Sequence, residues 1–400
     1  MARIVLGVGG GIAAYKVVDL LRRLTESGHR VHVVPTRSAL NFVGATTWAA
    51  LSGRPVTSEV FADAEQVAHV RQGQEADLVI VAPATANLLA KAAHGLADDL
   101  LTNVLLTARC PIVVAPAMHT EMWDHPATQA NVATLRARGV TVLEPAVGRL
   151  TGLDSGKGRL PEPAQLATTC EQILSRGSAT PDLAGRTVVV SAGGTREPID
   201  PVRYIGNRSS GRQGYALAST AAGRGARVVL VAANVELPDP AGVDVIRVVT
   251  AAEMGEAVLA SSTTADAVVM AAAVADFRPV DVAAHKLKKG QAEPAPIGLT
   301  RTDDVLVALV LGRRPGQVIV GFAAETGDES ADWLEHGRDK LARKGCDLLV
   351  VNQVGVHLGF GTEDNAAVVL AADGDETAVE RGPKHALAEV VWDLVADRLR

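Results

Sequence analysis

Ile4-Val5-Leu6-Gly7-Val8-Gly9-Gly10-Gly11-Ile12-Ala13-Ala14 joins a short apolar run to three successive glycines and then to an alanine-rich stretch. An apolar run of this length that stops at glycine reads as a first strand entering a tight turn, with a helix beginning beyond it. It lacks the basic lead and the longer apolar core of a secretory signal. The same rhythm continues through apolar runs at 31–34, 78–82, 112–115 and 140–143, separated by helical stretches. Such alternation predicts a parallel, doubly wound sheet.

The rhythm pauses after Pro161-Glu162-Pro163, where a helix to about residue 175 leads into the polar stretch Arg176-Gly177-Ser178-Ala179-Thr180-Pro181. It then restarts with runs at 187–191, 227–232, 245–249, 267–271, 318–322, 348–351 and 367–371. At 400 residues the chain exceeds the size at which one core keeps growing. The expectation is therefore two α/β domains, 1–177 and 186–400, joined by a linker over 178–185. The halves share a strand-then-glycine opening but no register of internal repeats.

Composition narrows the function classes. A hydrophobic share of 48% with only 3% aromatics means cores of Ala, Val, Leu and Ile, as in buried parallel sheets. The net charge of -6, with dispersed basic residues, gives no footprint for nucleic acid and points to small-molecule partners. Cys110, Cys170 and Cys346 are too scattered for a disulfide framework or a zinc site, so a reducing, cytoplasmic setting is expected. No apolar run reaches the ~20 residues of a membrane helix.

Gly9-Gly10-Gly11-Ile12-Ala13-Ala14 satisfies the loose pattern G-x-G-x-x-A, placed where free amides and the helix dipole attract phosphate. A dinucleotide fold would add an acidic residue at the end of the second strand to hold ribose hydroxyls. Here that strand reads His32-Val33-Val34-Pro35-Thr36-Arg37-Ser38, and hydroxyls with an arginine suit a phosphate better. FMN therefore fits better than NAD, with Ser38 a candidate contact; glycines kept only for close helix packing are the competing reading. Ala82-Pro83-Ala84-Thr85-Ala86-Asn87 follows the next strand, at the sheet edge where ligands bind in open α/β folds, although Thr85 or Asn87 could simply cap a helix.

Taken with Tyr15-Lys16 and Pro116-Ala117-Met118-His119-Thr120-Glu121-Met122-Trp123, these segments resemble the flavin-dependent cysteine decarboxylase family over roughly residues 1–175. The resemblance implies a flavodoxin-like domain with FMN at Gly9, Gly10, Gly11, Ser38, Thr85, Ala86 and Asn87. In that family the flavin oxidises the aminothiol so that carbon dioxide can leave, and returns the hydride afterwards. His69 falls on the family's active-site histidine, and Met118, Met122 and Trp123 on the loop that holds substrate against the flavin. Two positions depart from the pattern. His119 stands where the family usually has asparagine, so a protonated imidazole would hold the substrate carboxylate. The stretch Leu150-Thr151-Gly152-Leu153-Asp154-Ser155-Gly156-Lys157-Gly158-Arg159-Leu160 lacks the family's proton-donating cysteine, yet its composition suits a mobile lid.

In the second half, Ser191-Ala192-Gly193-Gly194-Thr195 and Tyr204-Ile205-Gly206-Asn207-Arg208-Ser209-Ser210-Gly211-Arg212-Gln213-Gly214 gather amides, hydroxyls and arginines into an anion site, without the P-loop pattern. A polar loop with a serine cap is the competing reading. Together with Ala272-Ala273-Val274-Ala275-Asp276-Phe277, His285-Lys286-Leu287-Lys288-Lys289, Gly321-Phe322-Ala323-Ala324-Glu325-Thr326 and Val351-Asn352-Gln353-Val354, they resemble phosphopantothenate-cysteine ligases from about residue 184 onward. The resemblance implies a Rossmann-like domain holding CTP at Ser209, Met270, Ala271, Ala272, Asp276, Lys286, Asp304, Phe322, Lys340 and Lys344. Lys286 would serve activation and Asn207 would hold an acyl-cytidylate, while Lys340 and Lys344 read equally as a solvated charge run. Mg2+ is expected with the triphosphate, its ligands unassigned.

Decarboxylase followed by ligase is the arrangement of bacterial bifunctional coenzyme A biosynthesis enzymes. It implies 4'-phosphopantothenate, cysteine and CTP as substrates, and a homo-oligomer of trimeric decarboxylase and dimeric ligase contacts forming a dodecamer. The alternative is a ligase whose flavin-binding half is catalytically altered or regulatory.

Overall fold

The computed structural model describes residues 1–57, 68–150, 154–176, 181–288, 296–325, 332–353 and 364–400, with backbone alone for 68, 69, 176 and 353. The chain divides into two compact units, 1–181 and 182–400. Asp182 and Leu183, inside the expected linker, already belong to the second unit: Leu183 is fully buried in its core, and Asp182 pairs with Arg224.

Unit 1 runs β1 (Arg3–Val8), α1 (Ala14–Glu26), β2 (Arg30–Pro35), α2 (Ala45–Ser52), α3 (Ala68–Glu75), β3 (Leu78–Ala84), α4 (Ala86–His94), α5 (Leu100–Thr107), β4 (Ile112–Pro116), α6 (Thr120–Asp124), α7 (Pro126–Ala137), β5 (Thr141–Val142), β6 (Ala146–Arg149), β7 (Ser155–Arg159) and α8 (Pro163–Arg176). The five-stranded sheet is ordered β2-β1-β3-β4-β5 and is parallel throughout. This is the flavodoxin-like winding, whose chain reverses direction between β1 and β3. All seven residues of β3 are buried, because helices cover both faces and leave no polar side to alternate with. Helix α1 covers one face with Ala14, Val17, Leu20, Leu21 and Leu24, a stripe at helical spacing.

Unit 2 runs β8 (Thr187–Gly193), β9 (Arg196–Pro198), β10 (Tyr204–Gly206), α9 (Arg212–Gly223), β11 (Arg227–Ala233), β12 (Val243–Val248), α10 (Ala251–Ser262), β13 (Ala267–Met270), β14 (Phe277–Pro279), β15 (Leu299–Arg301), α11 (Val305–Gly312), β16 (Val318–Glu325), α12 (Trp333–Lys344), β17 (Leu348–Gln353), β18 (Asp364–Ala371), β19 (Glu376–Pro383) and α13 (Lys384–Arg398). Its eight-stranded sheet is ordered β12-β11-β8-β13-β16-β17-β18-β19. The first six strands are parallel in the Rossmann order, reversing between β8 and β13, and the last two are antiparallel. Helix α13 seals one face: Trp392 is fully buried and donates its indole N–H to the Leu217 carbonyl at 2.9 Å. Beside it the buried Arg224 guanidinium meets the carboxylates of Asp182, Glu389 and Asp393. One charge buried this deeply is tolerated because three opposite ones surround it.

Candidate active sites

In unit 1 the reversal between β1 and β3 brings three loops to one edge. The Gly9 amide donates to the Pro83 carbonyl at 3.0 Å. A β-carbon on Gly9 would stand 2.3 Å from that oxygen, and one on Gly10 would stand 2.3 Å from the Ser38 β-carbon. Both glycines are thus demanded by the close approach of the β3 and β2 loops. Gly11 is different: its nearest neighbours would be Thr85 Cγ2 at 3.8 Å and Pro83 Cγ at 3.9 Å. Ala13 caps α1 without a side-chain acceptor, and the amides of Ala14, Tyr15 and Lys16 donate to the Gly11, Ile12 and Ala13 carbonyls at 3.0, 3.4 and 3.0 Å. Ser38 is exposed and makes no capping bond of its own, whereas Thr85 caps α4 by accepting the Leu88 amide at 3.3 Å. Gly9, Gly10, Gly11, Ser38 and Thr85 therefore converge; Ala86 opens α4, and Asn87 is exposed beside it. Hydroxyls gathered at a helix N-terminus, with no carboxylate among them, suit an anionic phosphate.

The loop carrying Met118 to Trp123 is assembled next to β4. Trp123 is 2% exposed and sits in the core, so this member of the motif anchors the loop, while Met118 packs against the core and Met122 is exposed. His119 is exposed, and its carbonyl accepts the Met122 and Trp123 amides at 3.0 Å. Of the glycine-rich stretch 150–160 expected as a lid, Ser155–Arg159 form β7, which pairs with β6 in a hairpin seated on this loop. The Met118 amide donates to the Gly158 carbonyl at 2.9 Å. β-Carbons on Gly158 and Gly156 would meet the Met118 carbonyl at 2.1 Å and Thr120 Oγ1 at 2.3 Å. Residues 151–153 lie outside the described residues, as does the side chain of His69, whose backbone lies in the first turn of α3.

In unit 2 the reversal between β8 and β13 gathers the second set. Gly193 (φ 84°) turns the chain out of β8; Thr195 Oγ1 accepts the Ala275 amide at 2.9 Å, and Ser191 Oγ accepts that of Ala272 at 3.1 Å. Asn207 donates its amide to the Val274 carbonyl at 3.0 Å. A β-carbon on Gly194 would lie 2.5 Å from the Asn207 carbonyl and 3.5 Å from Ser209 Cβ. Asn207 and Ser209 thus pack on the β8 loop and, with Met270, Ala271 and Ala272, share one edge; Asp276 is exposed just beyond. Met270 is paired with Ser191 on one side and Gly321 on the other, which puts Phe322 one strand along. Lys340 pairs with Glu325 at 2.9 Å, and Lys344 with Asp304. Burial alone would raise the Asp304 carboxyl, but hydrogen bonds from Lys344 and from the Val307 and Leu306 amides hold it below the usual carboxylate range. Lys286 is exposed on the segment after β14.

Sequence reasoning passed over the residues that support this edge. Asn234 stands in the left-handed region (φ 52°) and donates to the Gly194 and Val249 carbonyls at 2.9 and 3.0 Å. Asp200 is buried in the turn of the β9–β10 hairpin; its one signal was the turn-forming Asp200-Pro201 pair. A cavity of about 630 Å³ lined by Arg313, Gln317, Asp347 and Arg398 opens at the amino ends of β16 and β17. Ligands of such folds bind at the carboxyl edge. Among the described residues no three of His, Cys, Asp and Glu gather as a metal site, and no helix is long and apolar enough to cross a membrane.

Residues 1–175 match the family described as Flavoprotein, and residues 183–399 that described as DNA/pantothenate metabolism flavoprotein C-terminal domain. The coenzyme A biosynthesis bifunctional protein CoaBC of Mycobacterium tuberculosis is 59% identical, covering 98% of this chain and 96% of its own. That of Mycolicibacterium smegmatis is 58% identical over 100% of this chain and 98% of its own. Among solved structures, the FMN-dependent cysteine decarboxylase SpaF is 33% identical, covers 44% of this chain and 97% of its own, and has a TM-score of 0.39.

Proposed function

Since this chain belongs to the CoaBC family of bifunctional coenzyme A biosynthesis enzymes, a flavoprotein decarboxylase domain ahead of a ligase domain, we propose how its residues divide the two reactions. The ligase works first. A carboxylate oxygen of 4'-phosphopantothenate attacks the α-phosphorus of CTP, the bond to pyrophosphate breaks, and an acyl-cytidylate forms. The amine of cysteine then attacks the acyl carbon, CMP leaves, and a proton is released as the amide forms.

Lys286 offsets charge at the α-phosphate during the first step, as positioned cations do in phosphoryl transfer. Asn207, held by Val274, keeps the acyl-cytidylate in place for the second. Ser209, Met270, Ala271, Ala272, Asp276, Asp304, Phe322, Lys340 and Lys344 line the CTP site, and Mg2+ enters with the triphosphate. The observation that carries this reading is the packing of Asn207 and Ser209 onto Gly194 at the β8–β13 reversal.

The amide product is decarboxylated at the other edge. Gly9, Gly10, Gly11, Ser38, Thr85, Ala86 and Asn87 would hold FMN, which would supply the reversible oxidation that lets the carboxylate depart as carbon dioxide. His119 grips that carboxylate, Met118 and Met122 wall the aminothiol, and His69 takes a proton from it. The assembly proposed is a cytoplasmic dodecamer of decarboxylase trimers and ligase dimers.

Mass spectrometry of products from 4'-phosphopantothenate, cysteine and CTP tests the reading. Release of pyrophosphate with 4'-phosphopantetheine is expected. The carboxylated intermediate alone would favour an altered or regulatory first half, in line with the cysteine missing from 150–160. No pyrophosphate would sink the ligase assignment.

A further inference from the structure

The buried carboxylate of Asp200 is used at both ends. Its Oδ1 accepts the amides of Val202 at 2.7 Å and Arg203 at 2.8 Å, a local turn. Its Oδ2 accepts the Arg203 guanidinium at 2.6 Å and reaches across 87 residues of sequence to the Leu287 amide at 3.2 Å. Arg203 completes the clasp by donating to the Leu287 carbonyl at 3.0 Å, and the Ala283 amide donates to the neighbouring Ile199 carbonyl at 3.0 Å. Residues 284–288 are otherwise exposed and belong to neither helix nor strand. Both peptide groups of Leu287 are therefore fastened to the β9–β10 hairpin, the element that runs directly into Asn207.

We propose that Asp200 is a positioning residue of the ligase: by holding the Leu287 backbone, it sets where the adjacent Lys286 ammonium stands relative to Asn207. The proposal rests on the reading that Lys286 serves acyl-cytidylate formation. A turn-forming aspartate would need only Oδ1; the second oxygen is spent on a distant segment. The carboxylate stays ionised for this task. Burial opposes the charge, but the Val202, Arg203 and Leu287 amides and the Arg203 guanidinium outweigh it and draw its pKa down to about 2.

Asp200→Asn separates the two jobs. The amide can keep an oxygen on Val202 and Arg203, but then turns its own N–H donors toward Leu287 and the guanidinium. Acyl-cytidylate formation, followed by rapid quench with radiolabelled CTP in the full-length enzyme, is expected to slow roughly tenfold or more, with KM for CTP little changed. Amide hydrogen exchange over 283–288 accelerates while that of 227–233 does not, which separates loss of the clasp from loss of the fold. Because Asp200 acts through Lys286, the variant carrying both Asp200→Asn and Lys286→Gln is no slower than Lys286→Gln alone. Leu287→Pro, which deletes the donor and spares the carboxylate, reproduces the kinetic defect. Normal acyl-cytidylate formation in Asp200→Asn or Leu287→Pro, or multiplying effects in the double variant, would overturn this proposal alone. A full rate in Lys286→Gln would overturn the role of the lysine and this proposal with it.

Discussion

Replacing Gly9 by alanine is the sharpest test of the first ligand edge. The added methyl would lie 2.3 Å from the Pro83 carbonyl, and real carbon–oxygen contacts need about 1 Å more. Neither partner is a flexible side chain, so the β1 and β3 loops must part by that amount and stretch the Gly9–Pro83 hydrogen bond of 3.0 Å. Overpacking of this kind costs about 1–3 kcal/mol. A shift of about 1 Å in a phosphate-binding loop is expected to weaken FMN by roughly 10- to 100-fold, which corresponds to about 1.4–2.8 kcal/mol. Titration of apoprotein with FMN, followed by quenching of flavin fluorescence, reads the affinity. Gly44→Ala, whose methyl would meet nothing within 4 Å and which lies outside the proposed FMN contacts, is the internal control and should bind within a few-fold of wild type. CTP-dependent pyrophosphate release should survive both changes, because the second unit has its own core. Wild-type affinity in Gly9→Ala, or equal losses in both variants, would refute the steric argument.

Three further outcomes are expected. His119→Ala should abolish most decarboxylation and leave pyrophosphate release intact, since the imidazole is exposed and its removal disturbs no packing; unchanged carbon dioxide release would reject its role. Asn207→Asp cannot donate to the Val274 carbonyl and should accumulate acyl-cytidylate, whereas Lys286→Gln should form it only at a low residual rate; quenched-flow detection of the same accumulation in both would reject the division of roles. Burial, aided by the Arg54 and Arg71 charges, lowers the His32 pKa below the ordinary imidazole value. The unfolded chain thus takes up a proton that the folded one resists. The stability this histidine contributes is complete above about pH 6.5 and is lost as pH falls toward its folded value. His32→Gln should flatten that part of the melting-temperature profile of the first unit, and an unaltered slope would contradict the assignment.

How much was legible beforehand depended on whether the information was local. Ile4 to Val8 and Leu78 to Ala82 announced themselves because strands buried on both faces are continuous apolar runs. The run at 140–143 shrank to the paired Thr141–Val142, and β6, β7 and β19 went unseen. Gly148, Gly156, Lys157 and Gly158 carry no apolar alternation, and in β19 no residue is buried. At the sites, glycines and motif residues could be named from the chain, since a phosphate edge needs particular residue types in order. Their partners could not: Ser38 reaches Gly10, Gly158 reaches Met118, and Asp200 reaches Leu287 only after folding. Order and residue type along the chain therefore determined two largely parallel sheets, each with a glycine-led edge at its reversal. Which loops touch, and which buried carboxylate holds an exposed lysine's segment in place, was decided by the tertiary structure, because those contacts join residues that no periodicity links.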